Sequence, residues 1–138
     1  MQVSYRASAT ADGDGRNGHS RTSDGQLDFQ LAVPKEMGGP GGGTNPEQLF
    51  AAGYAACFLS ALKLVARKQG VDLTDAAITV DIGLGPNGQG GFGLEAAIEA
   101  ELPSVDEDTA RRLLDLAHHV CPYSNAIRGN VEVTLTVA

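Results

Sequence analysis

Tryptophan is absent from this sequence, and cysteine and histidine are scarce. The 138 residues contain two cysteines and three histidines, and aromatic side chains make up 5% of the chain. A chain of this length buries roughly two-thirds of the surface that it exposes when unfolded, so it needs no disulfide framework to fold. The length also suits one domain, and we expect residues 1–138 to form it.

Positive charge is scarce as well. Ten Lys and Arg residues stand against seventeen Asp and Glu residues, which gives a formal net charge of -7. This balance argues against a surface that follows a phosphate backbone. The N-terminal segment lacks the basic and apolar parts of a signal peptide, and no apolar run approaches the roughly 18 residues of a membrane span. We therefore expect a cytoplasmic protein that binds neither nucleic acid nor a membrane.

Patterns of period two predict strands at both ends of the chain. The predicted strands are residues 2–7, 19–23, 26–33, 76–85, 91–102 and 130–137. A glycine- and proline-rich loop occupies residues 34–44, and such loops occur where the backbone passes close to another group. A helix is predicted from Ser104, which has capping-box spacing to Glu107, through Cys121, and Pro122 must end or kink it.

The clearest helix begins at Asn45, a good N-cap, with Pro46 in the first helical position and Gln48 at capping-box spacing. Apolar residues then recur every three or four positions as far as Val65, and Gly70 marks the end. The opposite face is rich in alanine, so this helix is apolar almost all round. The resulting order, β-β-β-α-β-β-α-β, is an α+β arrangement in which we expect a partner subunit to cover part of the central helix.

The two cysteines allow several interpretations from the residues alone. Cys57 lies within the apolar helix, and Cys121 lies at a predicted helix end beside Pro122. A lone helical cysteine is most often a small buried hydrophobe. In the cytoplasm a stable structural disulfide is uncommon, whereas cysteine pairs are more often catalytic or bind metal.

Two long motifs carry a resemblance to a known family. The stretches "NPEQLFAAGYAACF" and "HHVCPYSNAIRGNVEVTLTV" resemble the cysteine signatures of the organic hydroperoxide resistance proteins, which are thiol peroxidases of the wider OsmC-like superfamily. The upstream stretch, from "DGRNG" through the glycine loop, is similar to the arginine-bearing turn and loop of that family. The resemblance covers nearly the whole chain and implies an OsmC-like fold, built as an interwoven homodimer with central apolar helices packed against sheets.

The resemblance also implies a role for four residues. Cys57 matches the peroxidatic cysteine, Cys121 the resolving cysteine, Glu47 the catalytic glutamate and Arg16 the catalytic arginine. The family usually has two glycines before this arginine, and here Asp14 replaces the first of them. Arg21 is therefore the alternative candidate for the arginine role.

The implied reaction is the reduction of alkyl and fatty-acid hydroperoxides to alcohols. It passes through a Cys57 sulfenic acid and a disulfide between Cys57 and Cys121 within one subunit. The resemblance implies no bound cofactor and a dihydrolipoyl group on a lipoylated partner protein as the reductant. Because Glu47 lies ten residues before Cys57, the two are roughly 15 Å apart on a straight helix. Either the helix bends or Glu47 reaches the cysteine of another chain.

Two alternatives place the protein in other functional classes. His118, His119 and Cys121 could bind a metal together with Cys57 or His19. Adjacent histidines point about 100° apart on a helix, which is poor geometry for joint ligation, and near a helix end they suit the surface. A module that binds a small ligand and has inert cysteines is the second alternative.

Overall fold

The structure is a computed structural model that describes residues 1–138. Residues Met1–Leu49 and Phe50–Ala138 form two compact units, here called unit 1 and unit 2. The helices and strands are, in chain order, β1 (Ala9–Asp12), β2 (His19–Thr22), β3 (Asp28–Gln30), α1 (Pro46–Lys68), β4 (Ala77–Pro86), β5 (Phe92–Glu101), α2 (Glu107–Val120), α3 (Pro122–Ile127) and β6 (Val133–Val137). This order confirms the predicted α+β class and adds one short helix, α3.

Unit 1 contains a three-stranded antiparallel sheet in the order β1-β2-β3. The first strand was predicted at residues 2–7, and this position is wrong. Residues 9–12 pair with 19–22 instead, so that Asp12 lies opposite His19. The turn between these two residues sets the register, and β2 is only four residues long. Residues 2–7 therefore have no strand to pair with, and they are exposed.

The glycine loop folds back on the end of the segment that contains β3. The backbone N–H of Gly41 donates to the carbonyl of Val33, and the N–H of Ala32 donates to the carbonyl of Thr44. A Cβ atom added at Gly43 would lie 2.8 Å from the Cβ of Ala32, which is too close for any other residue type. The backbone of the glycine loop therefore makes the predicted close approach, and the group that it approaches is the segment of the same chain that contains Ala32 and Val33.

Helix α1 begins with the predicted capping box. The side-chain oxygen of Asn45 accepts from the N–H of Gln48 at 2.9 Å, and the side chain of Gln48 accepts from the N–H of Asn45 at 3.2 Å. These two bonds satisfy N–H groups that the first turn of a helix leaves unpaired. The helix then runs without a break for 23 residues, and Gly70 follows it with φ +70°.

By length and composition, α1 could cross a membrane, which differs from the expectation that no apolar run approaches that length. The core helix of a soluble protein has the same composition. Tyr54, Phe58 and Leu62 on α1 have no exposed surface in the core of unit 2. They recur at intervals of four residues and so share one face of the helix. This buried face accounts for part of the apolar composition of α1.

The sheet of unit 2 has the order β4-β5-β6. β4 and β5 pair antiparallel over ten residues, from Ala77 opposite Glu101 to Pro86 opposite Phe92, whereas β6 runs parallel to β5. A parallel pair needs a long crossover, and α2 and α3 provide it. Ala96, Ile98 and Ala100 of β5 point alternately into the core, where they meet residues of α1 and α2.

The cap of α2 lies two residues later than predicted. Asp106 is the N-cap, and its carboxylate accepts from the N–H of Thr109 at 2.7 Å. The Ser104 hydroxyl instead donates to the carbonyl of Asp72 and accepts from the N–H of Thr74, so it fixes the preceding loop. The capping-box prediction for Ser104 is therefore wrong. Asp106 is as good an N-cap as serine, and a carboxylate is further favoured by the helix dipole.

Pro122 ends α2, as predicted, and it also begins α3. Proline suits a first helical position because the N–H that it lacks would have no partner there. Cys121 occupies the junction and is both the C-cap of α2 and the N-cap of α3.

We predict that Leu113→Ala lowers the free energy of unfolding by about 3 kcal/mol, because it leaves a cavity in the core. Leu113 has no exposed surface, whereas Leu116, one turn later on α2, is 37% exposed. Leu116→Ala is therefore the matched control and should cost less than about 1 kcal/mol. Denaturation in urea measures both values, and equal losses would contradict this description of α2.

Candidate active site

Arg16 lies in a tight turn of unit 1 between β1 and β2. Residues Gly15–Asn17 form one turn of 3-10 helix, with Asp14 before it at φ -98°. Any residue can adopt this angle, so aspartate is accommodated where the family usually has glycine. Gly15 has φ +58°, in the left-handed region that favours glycine. The departure at Asp14 therefore leaves the turn intact.

The guanidinium of Arg16 forms a two-pronged ion pair with Glu47 at the start of α1. Nη1 and Nη2 donate to the two carboxylate oxygens, each at 2.8 Å. This is the geometry in which arginine binds carboxylates most strongly. The hydrogen bonds from Arg16 hold the pKa of Glu47 below its ordinary value, and the same bonds raise the pKa of Arg16. The arginine and the glutamate that the sequence singled out are thus brought together.

Arg21, the alternative arginine, has a weaker partner. Its Nη1 lies 3.5 Å from a carboxylate oxygen of Asp12, and both side chains are about half exposed. A single long contact between exposed charges contributes little. The geometry therefore favours Arg16 as the positioned guanidinium of unit 1.

Cys57 and Cys121 meet in unit 2 although they are 64 residues apart. Their Sγ atoms are 3.5 Å apart, with the thiol of Cys121 directed at the sulfur of Cys57. Both are free thiols. Cys57 comes from the middle of α1 and is half-buried, whereas Cys121 lies at the α2–α3 junction and has no exposed surface. A disulfide is about 2.05 Å long, so the two sulfurs need to approach by only about 1.5 Å to bond.

The surroundings of Cys57 in unit 2 oppose its ionisation. Burial raises the pKa of the Cys57 thiol, and the neighbouring Cys121 thiol raises it further, whereas the backbone N–H of Tyr123 lowers it. Desolvation disfavours a thiolate because the charge loses its hydration. A reactive Cys57 therefore needs a positive charge in addition to these groups.

Aromatic rings surround the turn of α1 that precedes Cys57. The ring of Tyr123 lies 6.0 Å from that of Phe50 and 5.8 Å from that of Tyr54. A Cβ atom at Gly53 would lie 3.2 Å from the hydroxyl of Tyr123, so glycine lets this ring rest against the helix. The cysteine therefore adjoins a surface that suits an alkyl group.

A buried hydrogen-bond chain next to the cysteines was missed by the sequence analysis. Ser124 is the one fully buried polar residue, and its hydroxyl lies 2.7 Å from the hydroxyl of Tyr54 and 2.8 Å from Nδ1 of His118. The sequence predicts a surface position or a metal site for His118, but the side chain is half-buried, and burial lowers its pKa. The sequence contains one indication of this chain of hydrogen bonds: Tyr54, His118 and Ser124 each lie three residues from a cysteine.

The metal-site alternative finds no support in the side-chain positions. No three His, Cys, Asp or Glu side chains come together as metal ligands. In unit 1, Nε2 of His19 instead lies 2.5 Å from a carboxylate oxygen of Asp28.

The chain is similar to known proteins over nearly its whole length. Residues 39–136 match the family model described as OsmC-like protein. An organic hydroperoxide resistance protein of Xanthomonas axonopodis pv. citri is 50% identical over 99% of this chain and 96% of its own. The chain belongs to the OsmC-like family, in its organic hydroperoxide resistance branch.

Solved structures of OsmC-like proteins share the fold. An organic hydroperoxide resistance protein of Legionella pneumophila is 50% identical in sequence and superposes with a TM-score of 0.95. The match covers 99% of this chain and 99% of that protein. One from Vibrio cholerae, with captopril bound in one of its active sites, is 52% identical with a TM-score of 0.94, over 99% of this chain and 94% of its own. The predicted OsmC-like fold is confirmed.

We predict that Arg16→Ala raises the pKa of Glu47 towards its ordinary value, because both hydrogen bonds to the carboxylate are lost. A carboxylate whose pKa is lower in the folded state stabilises the protein above the unfolded pKa, and this contribution disappears as the pH falls through the folded pKa. The side chain of Arg16 is 40% exposed, so the loss of stability at pH 7 should not exceed about 1 kcal/mol.

Carbon-13 NMR of the glutamate carboxyl groups measures this pKa directly. Arg21→Ala is the matched control and should leave the titration of Glu47 unchanged. A Glu47 titration that is the same in wild type and Arg16→Ala would contradict the ion pair.

Proposed function

We propose that this protein is a thiol peroxidase that reduces organic hydroperoxides to alcohols. One observation carries the proposal: its two cysteines, far apart in sequence, place their Sγ atoms 3.5 Å apart. The names of its relatives support the substrate class. The aromatic surface of Phe50, Tyr54 and Tyr123 supports a substrate with an apolar group.

The first step is attack of the Cys57 thiolate on the terminal oxygen of the peroxide. A sulfur–oxygen bond forms and the O–O bond breaks, so the sulfur is oxidised to sulfenic acid and the peroxide is reduced to an alkoxide. The alkoxide takes a proton and leaves as the alcohol. Cys57 is the proposed nucleophile because it is the more exposed of the two thiols.

Arg16 is proposed to favour the thiolate. A free cysteine has a pKa of about 8.5, and burial raises that of Cys57 further. A guanidinium favours the charged form of a thiol, and its fork can also donate to a peroxide oxygen. Glu47 is proposed to orient Arg16, and their two 2.8 Å hydrogen bonds support this. The proposal includes two arrangements, one in which Glu47 serves the cysteine of its own subunit and one in which it serves the cysteine of the partner subunit.

The second step captures the sulfenic acid. The Cys121 thiol attacks the Cys57 sulfur, a disulfide forms, and the hydroxyl group leaves with the thiol proton as water. The sulfinic acid is thereby avoided. A dihydrolipoyl group on a partner protein is the proposed reductant: its two thiols reopen the disulfide by exchange and become the lipoyl disulfide.

The protein is further proposed to act in the cytoplasm as a homodimer and to need no bound cofactor. Ala52 and Ala56 are exposed on α1 in the single chain, and a second copy of the chain would cover them. An apolar helix face exposed to water is a common sign of an interface.

We predict that the two cysteine variants differ in kind. Cys57→Ser should lose all peroxidase activity, because the attacking sulfur is absent. Cys121→Ser should react once, and its sulfenic acid should then persist or oxidise further for want of a partner thiol. Intact mass measured without reductant, after one equivalent of cumene hydroperoxide, should show two hydrogens lost in wild type and oxygen gained in Cys121→Ser. Wild type that accumulates sulfinic acid without a disulfide would sink the two-cysteine mechanism.

We also predict a strong preference for organic peroxides over hydrogen peroxide. Each methylene group that leaves water contributes about 0.8 kcal/mol, so an alkyl chain adds binding energy that hydrogen peroxide lacks. Peroxide consumption should be measured with dihydrolipoamide as the reductant, using tert-butyl hydroperoxide, a fatty-acid hydroperoxide and hydrogen peroxide in parallel. Equal values of kcat/KM for the three would contradict an apolar substrate surface.

A further inference from the structure

The hydrogen-bond chain of Tyr54, Ser124 and His118 runs beside the cysteine pair and joins the same elements. Tyr54 precedes Cys57 by three residues on α1, and Ser124 follows Cys121 by three residues on α3. Residues three apart on a helix lie on one face. The 2.7 Å bond between the two hydroxyls is therefore a second link between α1 and α3, about one turn from the contact between the sulfurs.

His118 extends this link across the α2–α3 junction. It precedes Cys121 by three residues in the last turn of α2, and its Nδ1 lies 2.8 Å from the Ser124 hydroxyl on the other side of the junction. The carbonyl of His118 accepts a hydrogen bond from the guanidinium of Arg128, which follows α3. Cys121 thus lies at a junction of two helices that is bridged by two hydrogen bonds, one between His118 and Ser124 and one from Arg128 to the carbonyl of His118.

We propose that His118, Ser124 and Tyr54 are positioning residues that hold Cys121 against Cys57, and that protonation of His118 weakens this hold. The inference rests on the proposed bridging of the two cysteines. None of the three residues takes part chemically in the formation of the disulfide.

The number of hydrogens decides how the chain is arranged. Ser124 and Tyr54 each have one hydroxyl hydrogen, and the two observed bonds need two. If His118 is neutral with its hydrogen on Nε2, Tyr54 donates to Ser124 and Ser124 donates to Nδ1, so every hydrogen is used. Protonated His118 must donate from Nδ1 to the Ser124 oxygen, so the three groups then hold three hydrogens for two bonds. The hydroxyl hydrogen of either Ser124 or Tyr54, neither of which has exposed surface, is then left without an acceptor among the three groups. A buried donor without a partner is unfavourable.

The surroundings of His118 agree with a neutral ring. Burial lowers its pKa, and the positive charge of Arg128 lowers it further, whereas the carboxylate of Asp115 on α2 raises it. Tyr54 is the titratable group that faces it across Ser124 from α1. Burial raises the pKa of Tyr54, and so would negative charge on either thiol, so this hydroxyl remains protonated.

The consequence is a linkage between His118 and the disulfide. If protonation weakens the hold on Cys121, it must lower the equilibrium constant for bridging. By reciprocity, the bridge must lower the pKa of His118 by the same free energy. Below the pKa values of the thiols, exchange with glutathione takes up and releases no net protons. Titration of the Cys57 thiol within the measured range adds a dependence on pH of its own, which is calculated from the measured pKa of Cys57 and subtracted. The dependence on pH that remains reports a different group.

The experiment measures the equilibrium constant of the disulfide against glutathione between pH 5.5 and 7.5, together with the pKa of His118 by NMR in the reduced and bridged protein. Wild type should bridge less readily as the pH falls through the pKa of His118, and that pKa should be lower in the bridged form. Tyr54→Phe and Ser124→Ala should lower the constant at pH 7.5 about tenfold, because a looser partner thiol has a lower effective concentration. Ser124→Ala should also lose the dependence on pH, whereas Tyr54→Phe should retain it, because the Ser124 hydrogen still loses its acceptor when His118 is protonated.

His118→Asn separates titration from packing. The asparagine amide can occupy the place of Nδ1 but does not titrate. The constant of this variant should be close to the wild-type value at pH 7.5 and, once corrected for Cys57, should not change with pH. His119→Asn is the matched control, since His119 is the exposed neighbour, and it should behave as wild type. Thermal unfolding of each variant shows whether the fold is retained.

A pH dependence that persists in His118→Asn after correction for Cys57, or a constant that is unchanged in both Ser124→Ala and Tyr54→Phe, would overturn the inference. The glutathione equilibrium involves no peroxide. A protein that shows the predicted linkage but consumes no hydroperoxide would therefore refute the proposed peroxidase and leave this inference standing. Cysteines that never bridge would refute both.

Discussion

The desolvation of Cys57 is the constraint on which the rest of the site depends. The thiol lies on a helix whose apolar face fills the core of unit 2, and burial there raises its pKa. In the proposed reaction, the same burial would keep water from a Cys57 sulfenic acid and would offer an apolar surface to the peroxide. Reactivity must therefore come from charge that is already in place. In the proposed reaction Arg16 would supply this charge, and the two hydrogen bonds that hold its guanidinium to Glu47 mean that it would need no reorganisation.

Much of the fold could be predicted because its strongest signals are local. The capping box of Asn45 and Gln48 and the recurrence of apolar residues on α1 depend only on neighbours in the sequence. The predictions that failed depended on distant partners. Residues 2–7 have a strand pattern but no strand to pair with, because the turn after Asp12 sets the register. Ser104 resembles an N-cap, but its hydroxyl is used by the loop that contains Asp72.

The site shows the same division. Motifs singled out Arg16, Glu47, Cys57 and Cys121, and the structure pairs the first two and the last two. The motifs could not show that Ser124 is buried, because a serine in a polar stretch after a proline is typical of an exposed turn. Its burial follows from the packing of α3 against α1, which joins residues 70 positions apart. The only trace of this contact in the sequence is that Ser124 follows Cys121 by three residues.

The position of Cys121 between two helices has a mechanical consequence. Its N–H is bonded to the carbonyl of Ala117 in α2 at 2.8 Å, and its carbonyl accepts from the N–H of Asn125 in α3 at 2.9 Å. Both backbone groups are therefore engaged, one by each helix. Rotation about the Cα–Cβ bond remains the easiest motion for the sulfur. A change between dithiol and disulfide can then occur as a side-chain rotation, while the two helices keep their places.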